Sequence, residues 1–397
     1  MQEILASYRS AAETELADIL QFWMEHAPDE INGGFVGRVN SSNWKDYTAP
    51  KGSVLNSRIL WSFSAAFNAT KRISYLLVAG KAYDYFIRFF TDPEWGGVYW
   101  TVQPEGEPLD TKKQVYAQAF AVYGLSEYAI ASGDEAAKQQ AIRIYHLLIE
   151  YTYDPVHGGY AEALSRNWQP MSDIRLSEKD ANDPKSMNTH LHVLEAFANL
   201  YRIWPDPDLQ KKLAELVELF LYKIISPATH HLSLFFKNDW TPTANLISYG
   251  HDIEAAWLVP EASSVLGNKD LLAAADLASL KIASAAAEGL DGDGGLWYER
   301  DAGTQHLIRQ KHWWPQAEAM VGFFYAWQLS NQEEWLQRSW ASWQFVKKSL
   351  KDPASEWRWG VLEDGRNMPG EDKIGIWKCP YHNSRACMEI MRRIGGM

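Results

Sequence analysis

Cysteine is nearly absent from this 397-residue sequence: Cys379 and Cys387 are the two it has. Two thiols build no disulfide framework, and a chain of this length buries enough surface to do without one. Positive charge is also short. Lys and Arg number 38 against 50 Asp and Glu, a formal net charge of −12, which argues against nucleic acid or an anionic membrane as partner. No apolar run is long enough to cross a bilayer. Residues 1–20 mix Glu, Arg and Asp with apolar side chains, unlike the basic start and apolar stretch of a secretory signal. A cytoplasmic protein with reduced thiols is expected. Missing too are H-E-x-x-H, C-x-x-C, G-x-G-x-x-G and the phosphate-loop pattern. Asp291-Gly292-Asp293-Gly294 starts like a calcium loop but lacks the later acidic positions, so it reads as a turn. The expectation is an activity with no metal, no nucleotide and no other cofactor.

What the chain has in quantity is aromatic: 19 Trp and 19 Tyr. Rings of this kind fill cores, and they also pack flat against the C–H face of a sugar. No linker divides the sequence, which reads as one catalytic domain over residues 1–397. A unit recurs instead. A Gly-rich turn leads into a short aromatic or β-branched segment, as in Gly33-Gly34-Phe35-Val36, Gly96-Gly97-Val98-Tyr99, Gly158-Gly159-Tyr160-Ala161 and Gly294-Gly295-Leu296-Trp297. Degenerate copies stand at His231–Phe236 and Trp357–Val361. The turns predict short strands.

After each unit the apolar period predicts a helix: Asn56–Ala69, Val115–Ala131, Met187–Trp204, His251–Leu266, Trp314–Leu329 and His382–Ile394. Second helices are predicted at Tyr75–Phe90, Ala136–Thr152, Asp208–Ile225, Lys269–Ala287 and Glu333–Lys348, with Glu3–Trp23 supplying the sixth partner. Six helix pairs could stack as an open solenoid, but that needs polar caps at its ends. Trp23 stands near one end and Trp377 and Tyr381 near the other. A closed, all-α, double-layered α/α barrel is the better expectation, with an inner ring around a central well.

Polar residues at the starts of the inner helices carry the chemistry. Asn188 and His192 are four apart and share a face, with Glu195 on the same stripe; His190 points elsewhere and reads as a core histidine. His251 and Glu254 are three apart, so the carboxylate could orient the imidazole, while Asp252 reads as a helix-start residue. His382 follows Pro380 in a first helical turn, with Trp377 on the loop before it. Arg58 sits near the start of an apolar helix, against the helix-dipole preference. Something other than helix stability should hold it there.

These stretches resemble the N-acylglucosamine 2-epimerase family, in its cellobiose 2-epimerase branch. The resemblance rests on Leu55–Trp61, Met187–His192, Gly250–Glu254, His312–Glu318 and Trp377–Asn383, and it runs in order over nearly the whole chain. It implies an (α/α)6 barrel and catalysis without metal or nucleotide. It implies catalytic histidines at His192, His251 and His382, oxyanion binding by Arg58, and Glu254 as the acidic partner of His251. It further implies sugar contacts from Tyr116, Asn188, Trp314 and Trp377, and from Asp180 near the far sugar. The implied reaction is epimerisation at C2 of the reducing-end glucose of a β-1,4-linked disaccharide, by ring opening and proton transfer through a cis-enediolate. The expected partner is thus a small carbohydrate, acted on by a monomer or homodimer with no nucleic acid or membrane.

The chemistry is consistent with those residue types. An imidazole near pKa 6.5 is a poor match for a far less acidic C–H, so the developing oxyanion needs a fixed positive donor. Rival readings are a mannose or N-acylglucosamine 2-epimerase or an aldose–ketose isomerase of the same family, a carbohydrate-binding protein, and an α/α-barrel glycoside hydrolase. The last would use two of Glu254, Asp180 and Glu318.

Overall fold

The computed structural model describes residues 2–352 and 356–396 and is built mainly from twelve α-helices among those residues. In chain order they are α1 (Gln2–His26), α2 (Ser53–Thr70), α3 (Ile73–Phe89), α4 (Val115–Ser132), α5 (Glu135–Thr152), α6 (Met187–Tyr201), α7 (Pro207–Leu219), α8 (Tyr249–Leu266), α9 (Lys269–Ala286), α10 (Trp313–Ser330), α11 (Glu333–Phe345) and α12 (Tyr381–Gly395). The even-numbered helices are buried over most of their length, while the odd-numbered ones bury a stripe. A helix that is apolar all round must be enclosed, and one with a single apolar stripe does the enclosing. The even helices accordingly form an inner ring, each against the next, and α12 meets α2 to close it. The fold is an (α/α)6 barrel. Among the described residues no helix is long and apolar enough to cross a membrane.

Neighbouring inner helices approach closely where a side chain is missing. A Cβ on Gly322 of α10 would stand 2.5 Å from the Ile253 carbonyl oxygen of α8, and one on Gly124 of α4 would stand 2.7 Å from that of Ser57 in α2. Two outer helices finish differently from expectation. The stretches read as continuous helix to Ile225 and Lys348 become π-helical turns at Phe220–Ile224 and Val346–Leu350.

Short strands stitch each unit to the next at one end of the barrel. Lys51–Gly52 pairs with Thr101–Val102, Lys113–Gln114 with Ala163–Leu164, and Lys185–Ser186 with Phe235–Phe236. Leu246–Ser248 pairs with Glu299–Asp301, and Lys311–His312 with Gly360–Val361. A bridge from Val39 to Ile374 joins first unit to last. The Gly-turn segments themselves hold single bridges, such as Thr91 to Val98 and Tyr153 to Tyr160, rather than strands. The regular pairing comes a few residues later, because each tight turn leaves room for one bridge before the chain bends away.

A buried ion pair anchors most of these turns. Lys51, Lys113 and Lys185, each on the strand before an inner helix, reach Asp29, Asp92 and Asp154 at 2.9, 2.9 and 2.7 Å. Lys311 takes both Asp291 and Asp293, and Lys378 takes Glu356. The acidic run at Asp291 is therefore a turn, as expected. In the fourth unit the pair becomes His231 with Asp252, 2.7 Å apart, and Asp252 also accepts the Leu232 N–H. Asp252 stands in the first turn of α8, as expected, and serves there as a cross-unit anchor as well. Burial alone would raise the Asp92 carboxyl, but Arg166 and Lys113 outweigh it and hold it well below the usual range. Its contribution to stability is present above the unfolded carboxyl pKa of about 4 and fades as pH falls.

Removing one partner strands a buried charge, which typically costs about 3–5 kcal/mol. Asp92→Ala should lower the unfolding free energy by that amount in urea titration. Glu13→Ala, which breaks the half-exposed Arg9–Glu13 pair, should change it by about 1 kcal/mol or less. Equal effects would contradict the anchoring role.

Candidate active site

The stitched end of the barrel is where the inner helices begin, and most of them lack a side-chain cap there, while Ser186 caps α6. Outer helices α5, α7 and α9 open on Asp134, Asp206 and Asn268, whose side chains accept backbone N–H groups. Inner helices α2, α4, α8 and α10 open on Gly52, Gln114, Ser248 and His312 with no such side-chain bond. Their positive dipole ends converge on one mouth, a setting that favours anionic charge.

Ring contacts run around this mouth from helix to helix. Trp377 lies 6.0 Å from Tyr116, which is 5.0 Å from His192; His192 is 6.3 Å from Tyr381, itself 4.6 Å from His382. His382 then lies 5.7 Å from Trp314, and Trp314 is 4.6 Å from His251. Seven side chains from α4, α6, α8, α10, α12 and the loop before α12 thus meet in one arc. Arg58 of α2 joins it: its Nη2 donates to the Tyr116 hydroxyl at 2.6 Å, and its guanidinium lies 4.1 Å over the Phe120 ring and 4.8 Å over that of Tyr381. Arg58 is buried, its Nε has no hydrogen-bond partner, and among the described residues no carboxylate lies within ion-pair distance of it. A cation held this way has been desolvated without a counter-ion. Helix stability does not explain its place; it stands at the mouth as a cation packed on Tyr116, Phe120 and Tyr381.

Each histidine has a defined second partner. His192 Nδ1 faces Glu195 Oε2 at 3.1 Å, and His382 Nδ1 faces Glu318 Oε1 at 2.7 Å. A carboxylate at Nδ1 fixes the Nδ1–H tautomer and leaves the Nε2 lone pair for work. Among the described residues no hydrogen bond reaches Nε2 of either ring. His251 differs. Its Nδ1 meets the Ser248 hydroxyl at 2.8 Å, and no hydrogen bond to Glu254 is found among the described residues. Glu254 lies one turn deeper, where it accepts from Arg385 Nη2 at 2.7 Å and stands 3.9 Å from His382 Nδ1. The expected His251–Glu254 pair is therefore replaced by a serine, because Arg385 draws that carboxylate to the barrel axis.

Burial is the main cause of the histidines' low basicity. It pushes His192 down to about 4 and His251 to about 3; His382 falls well below the ordinary value, with Arg58 and Arg385 adding to burial. All three are neutral near pH 7 and able to accept a proton. Burial would raise Glu195, but Arg385 and His192 hold it at about 2. Burial and then neighbouring Glu318 push Glu254 well above the ordinary carboxyl range. Glu254, Glu318 and His382 gather ligand atoms within 4.8 Å of one another. That place already has a cation, since Arg385 Nη2 donates to both carboxylates.

The remaining expected residues fall at the margin. Asn188 opens α6 with its Oδ1 buried and unpartnered. Asp180 lies on the loop before α6, its carboxylate accepting the Ser177 N–H and hydroxyl at 2.8 Å. Burial raises the Tyr298 and Glu299 side chains, with the charge of Asp180 adding to it, and Tyr298 packs 6.4 Å from Trp314. His190 is a core histidine, accepting the Tyr160 N–H at Nε2 and bonding the Ser186 carbonyl at Nδ1. Sequence reasoning assigned no role to Arg385, Tyr381 and Ser248, and named Glu318 only as a carboxylate of the hydrolase alternative. A signal for Glu318 and Arg385 was available. Glu195, Glu254, Glu318 and Arg385 each follow a mouth residue by three or four positions on a helix otherwise apolar there, so each is a charge one turn below the mouth.

The carboxylates do not flank an open cleft in the manner of a glycoside hydrolase. Glu318 is bonded to His382, Arg385 and Trp257, and Glu254 to Arg385. What faces the mouth is neutral imidazole, a lone guanidinium and aromatic surface, a set suited to moving protons at a carbon beside a carbonyl.

Comparison with known proteins agrees with this arrangement. Residues 33–386 match the family model described as N-acylglucosamine 2-epimerase. A cellobiose 2-epimerase of Bacteroides fragilis is 47% identical over 374 residues, covering 94% of this chain and 95% of the relative. One from Dictyoglomus turgidum is 39% identical over 95% of this chain and 96% of the relative. The solved structure of cellobiose 2-epimerase from Bacillus thermoamylovorans superposes with a TM-score of 0.93 at 37% identity, covering 99% of this chain and 100% of the other. The chain belongs to the N-acylglucosamine 2-epimerase family.

Proposed function

We propose that this protein epimerises C2 of the reducing-end glucose in β-1,4-linked disaccharides, converting cellobiose to 4-O-β-D-glucopyranosyl-D-mannose and lactose to epilactose. The observation that carries the reading is Arg58: a buried guanidinium without a carboxylate, placed among neutral histidines. The relatives named as cellobiose 2-epimerases support the choice of sugar. The tryptophans Trp377 and Trp314 on opposite flanks of the mouth could hold two linked rings.

The reaction begins with ring opening to the aldehyde. One imidazole Nε2 takes the C2 proton, and the C–H electron pair moves into C1–C2 while the carbonyl pair moves onto O1. Arg58 and the Tyr116 hydroxyl it holds stabilise the enediolate. A second imidazole then delivers a proton to the opposite face. His251 and His382 take those two parts, on either side of Trp314, and His192 moves protons among O1, O2 and the ring oxygen. Glu254 serves the site through Arg385 rather than through His251. Asp180 and Asn188 act on the sugar away from C2.

The direct test is incubation with cellobiose, lactose, mannose and N-acetylglucosamine, followed by NMR of the products. A C2 epimer of cellobiose with its linkage intact is expected. Free glucose would mean hydrolysis, and a kcat/KM on mannose equal to or above that on cellobiose would move the activity to a monosaccharide.

Arg58→Ala removes the oxyanion donor. Losing one such donor typically lowers turnover about 100- to 1000-fold, and here the melting temperature should not fall with it, because the variant also removes an uncompensated buried charge. Near-normal turnover would remove Arg58 from the mechanism.

Inversion at C2 requires loss and return of the proton on opposite faces of a planar intermediate. With two bases, the returning proton comes from a group that has equilibrated with solvent. In D2O, nearly every first turnover should place deuterium at C2 of the product. Carry-over of the substrate hydrogen, or substantial activity in both directions for His251→Ala or His382→Ala, would refute two-base transfer.

A further inference from the structure

The barrel has a second well. At the end opposite the histidines, a cavity of about 680 Å3 opens between the C-terminal halves of the inner helices. Exposed Arg9 and Arg392 stand at its rim, and Glu195, Trp257 and Arg385 line its inner end. The axis of the barrel is thus closed between the two wells by the side chains that stand behind the histidines.

Arg385 is the centre of that closure. Its Nη1 donates to Glu195 Oε1 and to the Tyr381 hydroxyl, and its Nη2 donates to Glu254 Oε1 and Glu318 Oε1, each at 2.7 Å. The guanidinium plane lies 4.2 Å over the Tyr381 ring and 4.8 Å over that of Trp257. Two of the carboxylates it holds bond histidines through Nδ1: Glu195 that of His192, Glu318 that of His382. Tyr381 closes the loop by donating to Glu195 Oε2 at 2.5 Å. Three buried carboxylates in this volume repel one another, and without a planar, multi-donor cation between them they would neutralise or separate. The two histidines that depend on Arg385 come from α6 and α12, and the third does not depend on it: His251 is held by Ser248.

We propose that Arg385 is a positioning residue that sets the tautomer and aim of both His192 and His382 through Glu195 and Glu318, and that the rear well gives access to it without passing the sugar mouth. The inference rests on the epimerase reading for its kinetic arm, and its spectroscopic arm is independent of that reading.

The experiment compares wild type, Arg385→Lys and Arg385→Ala by 15N NMR of the histidine side chains and by cellobiose turnover. Lysine keeps the charge but lacks the fork that spans three carboxylates. In both variants the His192 and His382 signals should leave the Nδ1–H tautomer while the His251 signals stay in place; a general collapse would move all three. Small misplacements of catalytic groups typically cost about 100-fold, so kcat in Arg385→Lys should fall by about 10- to 100-fold with KM within about threefold. The acid limb of kcat/KM should move to higher pH. Loss of the guanidinium lets Glu195 and Glu318 take protons earlier, and it also eases protonation of His192 and His382 beside Arg58, Glu254 and Tyr381. Methylguanidinium added to Arg385→Ala should restore turnover without competing with cellobiose, and should not raise that of wild type. Wild-type tautomers and kcat in Arg385→Lys would overturn the positioning role, even where Arg385→Ala fails to fold. Competition between methylguanidinium and cellobiose, or no rescue of a folded Arg385→Ala, would overturn access from the rear. Shifted His192 and His382 signals in a protein whose wild type does not turn over cellobiose would sustain the role of Arg385 and reject the proposed substrate.

Discussion

An inner helix buried over most of its length has nowhere to stand except inside another layer, and six of them make a ring. This constraint governs the rest of the molecule. The outer helices exist to cover the ring, with one apolar stripe each. The ring must close, because an open end would expose the apolar flank of α2 or α12. Closure turns the alternation of inner and outer helices into a common direction for the inner set. Their first turns meet at one end, where short strands and buried Lys–Asp pairs tie unit to unit. Most of the inner helices start there without a side-chain cap, and that place is where Arg58 and the three histidines stand.

Burial then sets the electrostatics of the mouth. In a low-dielectric well an imidazole prefers to be neutral, which explains why carboxylate neighbours do not raise His192 or His382 above the ordinary range. A neutral imidazole is a base ready to act near pH 7, although a weak one for a C–H acid. Each unit of pKa mismatch costs about 1.4 kcal/mol, so the well has to lower the cost of the product side. In the proposed reaction Arg58 does this at the oxygen end, because its charge is already desolvated and has no carboxylate to give up. The same burial makes free carboxylates costly, and the three behind the histidines share Arg385.

Sequence periodicity made the helix pairs and their order legible, since periodic apolar burial is a local property repeated along each helix. The π-helical turns at Phe220–Ile224 and Val346–Leu350 were not legible, because they continue the same apolar rhythm with a slightly wider turn. At the mouth, Arg58, His192 and His382 stood out as polar residues on apolar helices. The partners did not. Glu318 meets His382 across 64 positions and Arg385 meets Glu195 across 190, and no local spacing encodes which charge faces which. The local pairing His251–Glu254 was legible and misleading: three-residue spacing places two side chains on one face, but a fixed cation elsewhere decides where the carboxylate turns. Asp252 does occupy the expected first turn of α8, and its contact with His231 is the part that no local spacing encodes.

The three histidines are not equivalent, and the difference lies in what holds Nδ1. A carboxylate can only accept, so Glu195 and Glu318 keep His192 and His382 as Nδ1–H tautomers with Nε2 free. The Ser248 hydroxyl can donate or accept, so His251 can present either tautomer to the mouth without breaking its bond. A base that must shed a substrate proton to water between turnovers gains from that freedom, because proton loss at one nitrogen and re-protonation at the other cost no hydrogen bond. A base backed by carboxylate gains instead from stabilisation of its imidazolium form. In the proposed mechanism the two bases that alternate as acceptor and donor on opposite faces of C2 therefore need not have the same basicity. Equilibrium between the epimers belongs to the sugar and is the same for any pair of bases. In the proposed two-base reaction, what an unequal pair sets is which half-reaction limits the rate.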